Sequence, residues 1–471
     1  MWLVRLAGWC ALAGSAWAGQ AKQAGAIERL YVEPFVTKAG AEELRADVIA
    51  ELRKIASVSL AAGESGADAI LGGGGEIWVK GYRSLNPRSG RSPSNGTPVY
   101  AGYLSVELRD RNGETIWSYL ATPGPSTDVA KDLSKRIAKH VAEALQQDPM
   151  PSAADPAPAA TTVLKGAGAT FPYPVYAKWI KNYRRENPAV EIAYDAVGSE
   201  AGVRSLVAGA VDFGASDSPE VIHAVAPGDE GKYLLFPSVV GAVVPIVNLP
   251  GFAGDIQFTA EALAGIYLGK ITKWNDPILQ RANRGLRLPD LDVVVVHRAD
   301  GSGTSYAWTD YLASANPEWK AQVGSSLDPK WPTGRGADGN DGVAKLVKEL
   351  GGSIGYVEFI YALENHLSYG KVRNRDGQFV GASLESIAAA TLGHEFKISL
   401  VDPPGAGAYP IASFTWFVVP AHVADGGKRT AIGGFLRWML GPGQRQAAAL
   451  GYLALPPDIV SKEMAAIEKI R

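Results

Sequence analysis

The sequence predicts an α/β protein: a small α/β domain followed by a larger module of two lobes. Three observations carry this. Short runs such as "VEIAYDAV", "DFGAS", "VVVVH" and "SIGYVEF" read as strands, and several are nearly all apolar, as strands covered on both faces are. Amphipathic helical segments follow them. "PVYAKWIKNYRREN" spaces Val175, Trp179 and Tyr183 four apart, and "DGVAKLVKEL" and "IGGFLRWML" behave alike. Finally "DPMPSAADPAPAATT", residues 148–162, is rich in Pro and Ala and poor in large apolar groups. It reads as a semi-extended linker between a module at 26–147 and another at 163–471, the latter long enough for two lobes.

The chain opens with Arg5, an apolar run and Ala16-Trp17-Ala18 before Gly19. That is the pattern of a secretory signal peptide covering 1–18, with export to the periplasm expected. Trp9 stands before Cys10, where a lipoprotein would need a small residue. Cys10 is the single cysteine, so the mature chain is expected to carry no disulfide and no thiolate metal site. A formal net charge of -2 shows no basic surplus for nucleic acid.

In the small module "ERLYVEPF" reads as a strand, and Leu44, Val48, Leu52 and Ile55 follow at helical spacing. "ADAILGGGGEIWVKGY" suggests a strand, a glycine-rich break and a second strand. In "YAGYLSVELRDRNGETIWSYLATP", Leu104, Val106 and Leu108 alternate. Asn112-Gly113 suits a tight hairpin with positive φ at both residues, and Ile116, Ser118 and Leu120 return. A helix starting near Ser126, Thr127 or Asp128 places Val129, Leu133, Ile137, Val141 and Leu145 on one stripe. The pattern is similar to small envelope α/β domains of the TolB N-terminal or CsgG type. An envelope partner and a plain spacer are the two roles in view, and its removal is expected to leave ligand affinity unchanged. The loop 83–98 is expected to be mobile.

The chemistry concentrates in "HRADGSGTSYAW", residues 297–308. A phosphate-binding P-loop would need Lys after the second glycine, and Thr304 stands there. A nucleophile elbow would frame Ser302 or Ser305 between glycines at the right spacing, and neither is so framed. His297 ends a strand and points away from Arg298 if that strand is regular. An anion cradle needs less. Glycines and hydroxyls at a helix start converge backbone N–H groups on one point, and Arg298 adds a full charge and a planar fork. "GAGATFPYP", "DAVGSEAGVRSLVAG" and "VDFGASDSPE" place further hydroxyls and Asp217 at strand-to-helix junctions, where open α/β sheets bind ligands. The six histidines, His140, His223, His297, His366, His394 and His422, lack metal-ligand spacing.

Seven segments in order, "GAGATFPYPVYAKW", "VGSEAGV", "VDFGASDSPE", "GIYLGKITKWNDP", "HRADGSGTS", "KWPTGRGADGNDGV" and "SIGYVEF", resemble the periplasmic phosphate-binding proteins of high-affinity phosphate ABC transporters. The resemblance spans 163–471. It implies a type II periplasmic binding fold with two hinge crossings, near 240–250 and 406–416. Lobe I would comprise about 163–245 and 412–471, and lobe II about 250–405. It further implies phosphate contacts from Thr170 and Phe171 (largely backbone), Ser199, Asp217, Arg298, Ser302, Gly303 and Thr304, with Asp300 pairing the arginine. The implied partners are inorganic phosphate and an inner-membrane ABC permease, with a monomeric chain, no cofactor, no metal and no enzymatic activity. Asp217 would accept the proton that phosphate keeps and sulfate lacks. Glu200 and a shortened segment at 395–408 depart from the family pattern. A phosphate sensor or store, and a phosphatase on the same scaffold, are the alternatives.

Overall fold

A computed structural model describes residues 27, 29–36, 38–55, 58–83, 97–124, 128–145, 161–252, 254–392 and 399–471. The expected signal peptide, nearly all of the 148–162 linker, most of the 83–98 loop and residues 395–398 lie outside the described residues.

Among the described residues, the small module is a five-stranded sheet with two α-helices on a face. Its strands are β1 (Arg29–Val32), β2 (Ser59–Leu60), β3 (Ala69–Arg83), β4 (Thr97–Asp110) and β5 (Thr115–Ala121), in the order β2-β1-β3-β4-β5. Helix Ala41–Leu52 buries Leu44, Val48 and Leu52, and helix Val129–Ala144 buries Leu133, Ile137 and Val141. Asp128 starts the second helix, its side chain accepting the Lys131 N–H at 3.1 Å.

Three details depart from the sequence reading. The glycine-rich break is no break, because β3 runs unbroken through Gly72–Gly75 with every glycine paired to β4. The glycines serve close approach instead. A Cβ on Gly75 would lie 2.5 Å from the Leu44 side chain, and one on Gly73 would lie 2.2 Å from the Ser105 carbonyl. At the hairpin only Gly113 takes positive φ, at 81°. The Asp110 carbonyl accepts from Gly113, the Asp110 carboxylate accepts from Asn112 and Glu114, and the β4–β5 register slips between Leu108 and Arg109. Asn112 therefore does not need the left-handed conformation, and a bulge replaces the two-residue turn. Leu104, Val106 and Leu108 face the helices together with Ala121, Tyr119 and Trp117, their partners on β5. Ser118 and Leu120 turn the other way, onto the large module.

The large module is organised on β6 (Thr162–Gly168), β7 (Val190–Ala196), β8 (Phe213–Ser216), β9 (Tyr233–Asn248), β10 (Gln257–Phe258), β11 (Val294–Arg298), β12 (Arg335–Ala337), β13 (Ser353–Glu358), β14 (Ser368–Tyr369), β15 (Lys371–Arg373), β16 (Phe379–Val380) and β17 (Ala412–Pro420). The main path runs β12-β11-β13-β9-β17-β8-β6-β7, with β14 also on β9, while β10, β15 and β16 form a small sheet of their own.

Strand β9 belongs to both lobes. Tyr233–Ala242 pairs with β17, and Val243–Asn248 pairs with β13, so the partner changes between Ala242 and Val243. All but a few of its residues are buried, as a strand covered on both faces must be. The chain crosses back where Asp402 bonds Pro410 and Ile411 accepts from Val243. This is the two-lobed architecture of a type II periplasmic binding protein. Among the described residues no helix is long and apolar enough to cross a membrane.

The small module touches both lobes. On one side Ser105 and Ser118 donate to the Ala449 and Arg445 carbonyls at 2.6 Å each, and Arg445 donates back to the Thr115 carbonyl at 2.8 Å. On the other, Lys80 pairs with Asp255 at 2.6 Å, Arg136 with Glu385 at 2.8 Å and His366 with Glu76 at 3.0 Å. The His366 ring also stacks on Trp78. Burial opposes ionisation of Glu385, and His140 and Tyr119 outweigh it, holding the carboxyl well below its ordinary value.

Candidate functional site

Four strand-to-helix junctions meet between the lobes. The first is β6 into helix Tyr173–Glu186, through Thr170 and Phe171. Phe171 is fully buried and presents its carbonyl to the Tyr452 hydroxyl at 2.5 Å, while the Thr170 carbonyl accepts from Tyr361 at 2.6 Å. The second is β7 into helix Ser199–Val207. Gly198 takes φ 95° to turn the corner and donates to the Gly168 carbonyl. Gly202 lets the helix lie on β6, since a Cβ there would sit 2.2 Å from the Gly168 Cα. The third is the end of β8, carrying Asp217. The fourth is β11 into helix Gly303–Ala315, with Arg298, Asp300 and Ser302–Thr304.

The four junctions place the expected residues together. Ser302 caps its helix, its Oγ accepting the Ser305 N–H at 3.1 Å. The Gly303 N–H reaches across the lobes to Ser199 Oγ at 3.0 Å. A Cβ on Gly303 would lie 2.6 Å from the Asp217 main chain, so only glycine permits this approach. Arg298 is 2% exposed. Its Nε and Nη2 are both spent on Asp300, the first at 2.6 Å, and Nη1 lies 3.4 Å from Thr304 Oγ1. The planar fork expected to face the ligand is thus turned to Asp300, because an unpaired buried guanidinium would be costly. Burial opposes ionisation of Asp300, but Arg298 and the Gly339 N–H hold its carboxyl below the ordinary value.

Asp217 is buried on every side. Its Oδ1 accepts the Thr415 hydroxyl at 2.7 Å, and Ser413 donates to its carbonyl at 3.1 Å. Burial pushes its carboxyl up to about 7 against the opposing effects of Thr415, Arg298 and Thr304. Thr415 sits where β17 slips register against β9, a local irregularity that re-aims a side chain.

A cleft of about 460 Å³ lies against one side of this cluster, lined by Thr170, Asp300, Gly339 and Tyr361. Glu200 does not project freely at its mouth: it pairs with Arg204 on its own helix and packs over Gly301. His297 stacks on Trp331, and its Nδ1 donates to the Arg298 carbonyl at 3.0 Å. Burial lowers its pKa, so the ring serves packing. Among the described residues no three His, Cys, Asp or Glu side chains are grouped to hold a metal ion.

Sequence reasoning missed Asn340, Thr415, Tyr361 and Tyr452. Asn340 is fully buried and touches Thr170, Thr304 and the Glu358 main chain. Its segment, "KWPTGRGADGNDGV", was a legible motif, but nothing in its spacing assigns Asn340 a role. The tyrosines come from distant segments, and no local pattern points to them.

Residues 155–442 match the model of a PBP superfamily domain. The phosphate-binding protein PstS of Pasteurella multocida is 39% identical over 306 residues, covering 64% of this chain and 88% of that protein. The phosphate-binding protein PstS of Methanocaldococcus jannaschii is 35% identical over 342 residues, covering 66% and 87%. A solved structure of a high affinity periplasmic phosphate-binding protein (PfluDING) bound with phosphate is 20% identical, with a TM-score of 0.53, covering 64% and 93%. That last likeness concerns the fold alone.

Proposed function

This chain belongs to the PBP superfamily, and from that premise we propose that its cleft captures inorganic phosphate in the periplasm and delivers it to an inner-membrane ABC permease. One observation carries the reading. Ser199, Ser302, Thr170 and Thr304 each accept a hydrogen bond from a protein N–H group, from Gly303, Ser305, Asn340 and again Asn340 respectively. A hydroxyl that accepts from the protein has its own proton to donate. Four such hydroxyls around one point suit an anion.

The Arg298 charge is already balanced by Asp300. The cage therefore holds a dianion by oriented dipoles rather than by net charge, which is effective where water is excluded. Asp217 takes the hydrogen bond of the proton that phosphate retains. Sulfate offers no proton at neutral pH, so a carboxylate there meets oxygen lone pairs and repels. The relatives that carry this likeness are named as phosphate-binding proteins, and we read the cage as releasing its ligand unchanged. The small module, packed on both lobes, acts as a brace across the hinge rather than as a free spacer, and an envelope partner would meet it on its outer face.

Calorimetric titration with phosphate and sulfate, with a phosphoester hydrolysis assay beside it, tests this. Tight phosphate binding with neither sulfate binding nor turnover is expected. Equal affinity for the two anions would overturn the role of Asp217, and turnover would favour the phosphatase.

A further inference from the structure

Asn340 stands second in helix Gly339–Glu349 and is fully enclosed. Its Oδ1 accepts the Glu358 backbone N–H at 2.9 Å. That bond assigns the amide, because a backbone N–H needs an oxygen. The Nδ2 must then face the other way, where Thr170 Oγ1 lies at 2.9 Å and Thr304 Oγ1 at 3.4 Å. The Asn340 backbone N–H adds a third contact, to Thr170 Oγ1 at 3.3 Å. Thr304 Oγ1 also receives Arg298 Nη1 at 3.4 Å.

An amide NH₂ and a guanidinium only donate, and a hydroxyl has two lone pairs and one proton. Each threonine oxygen has two donors aimed at it, so both protons point away from Asn340: the Thr170 proton is left for the cleft, and the Thr304 proton faces Asp217, whose ionised form it favours, until an anion arrives. Thr170 comes from the β6 junction and Thr304 from the β11 junction, on opposite lobes. One side chain thus sets the polarity of a hydroxyl from each lobe.

We propose that Asn340 is a positioning residue of the anion site: its amide holds the Thr170 and Thr304 hydroxyls as donors toward the bound anion. This rests on the phosphate reading above. Without Asn340 the two hydroxyls are free to rotate and to satisfy each other or the main chain, and binding must reorder them.

A double-mutant cycle tests it, read by phosphate calorimetry on the full chain. Asn340→Ala should weaken phosphate binding about thirtyfold, from two hydroxyl bonds of roughly 1 kcal/mol each. In a background carrying Thr170→Val and Thr304→Val, the same substitution should cost less than about twofold, since its targets are gone. An equal loss in both backgrounds shows a general packing role and overturns the proposal. If Asn340→Ala does not fold, the isosteric Asn340→Asp replaces it. That variant keeps the acceptor for Glu358 but pulls the threonine protons inward, and its loss should also shrink in the valine background. A loss that stays the same overturns the proposal. Failure of the native chain to bind phosphate overturns the functional reading itself and is seen before any variant is made.

Discussion

Replacing Asp217 by asparagine removes a buried carboxyl that lies against Thr415, Arg298 and Thr304. Burial pushes that carboxyl up to about 7, whereas an aspartate in the unfolded chain titrates near about 4. Between these values the folded protein keeps a proton that the unfolded chain has released. Stability therefore falls as pH rises through that window and levels off above about 7. A displacement of about three pH units at roughly 1.4 kcal/mol each gives a cost of about 4 kcal/mol for the charged form. Asparagine keeps an oxygen for the Thr415 hydroxyl, 2.7 Å away from Oδ1, and has no charge to desolvate.

Asp217→Asn should therefore be more stable than the parent by about 4 kcal/mol near pH ~8.5, by about 2 kcal/mol near pH ~5, and by almost nothing near pH ~3. Glu358, also raised by burial, is common to both proteins and cancels. Urea unfolding in phosphate-free buffer, followed by tryptophan fluorescence, measures the difference at each pH. A gain that is independent of pH, or that grows on acidification, would refute the argument that burial governs this carboxyl. The same variant should close the gap between phosphate and sulfate affinity by about a hundredfold or more, because an amide donates to either anion.

Other outcomes follow from the same contacts. Asp300→Asn weakens the partner of a buried guanidinium, and phosphate affinity should fall by about tenfold to a hundredfold, with calorimetry as the measure. Gly202→Ala forces a Cβ to 2.2 Å from the Gly168 Cα. It should lower the melting temperature and release the helix that carries Ser199, and an unchanged melting curve would count against this packing. Lys80→Ala with Glu385→Gln removes two ties between the small module and one lobe. Stopped-flow phosphate release should then accelerate by several-fold, reversing the expectation from sequence that the module leaves affinity untouched. Identical release rates would return it to the status of a spacer.

The strand-and-helix alternation of the large module was legible because buried strands and amphipathic helices each write a local periodicity. "VVVVH" and "SIGYVEF" became β11 and β13, and Val175, Trp179 and Tyr183 line one buried helix face. The glycine-rich stretch 72–75 misled for the opposite reason. A run of glycine looks like a break from within the strand, and only the positions of Leu44 and the Ser105 carbonyl show that it is a place of close contact. The likeness of seven ordered segments to one family pointed to residues that lie far apart in the chain, and chain folding brings them together.

Taken alone, the sequence determined the α/β class and the strand-to-helix junctions that carry hydroxyls and glycines, because these are local in period and composition. Tertiary structure alone decided which way each polar group points. It turned the Arg298 fork onto Asp300, brought Thr415 from a distant strand to Asp217, and set Asn340 between threonines of opposite lobes. It also set the small module against residues of both lobes. Hydrogen-bond direction and burial depend on neighbours far along the chain, and no stretch of sequence contains its own neighbours.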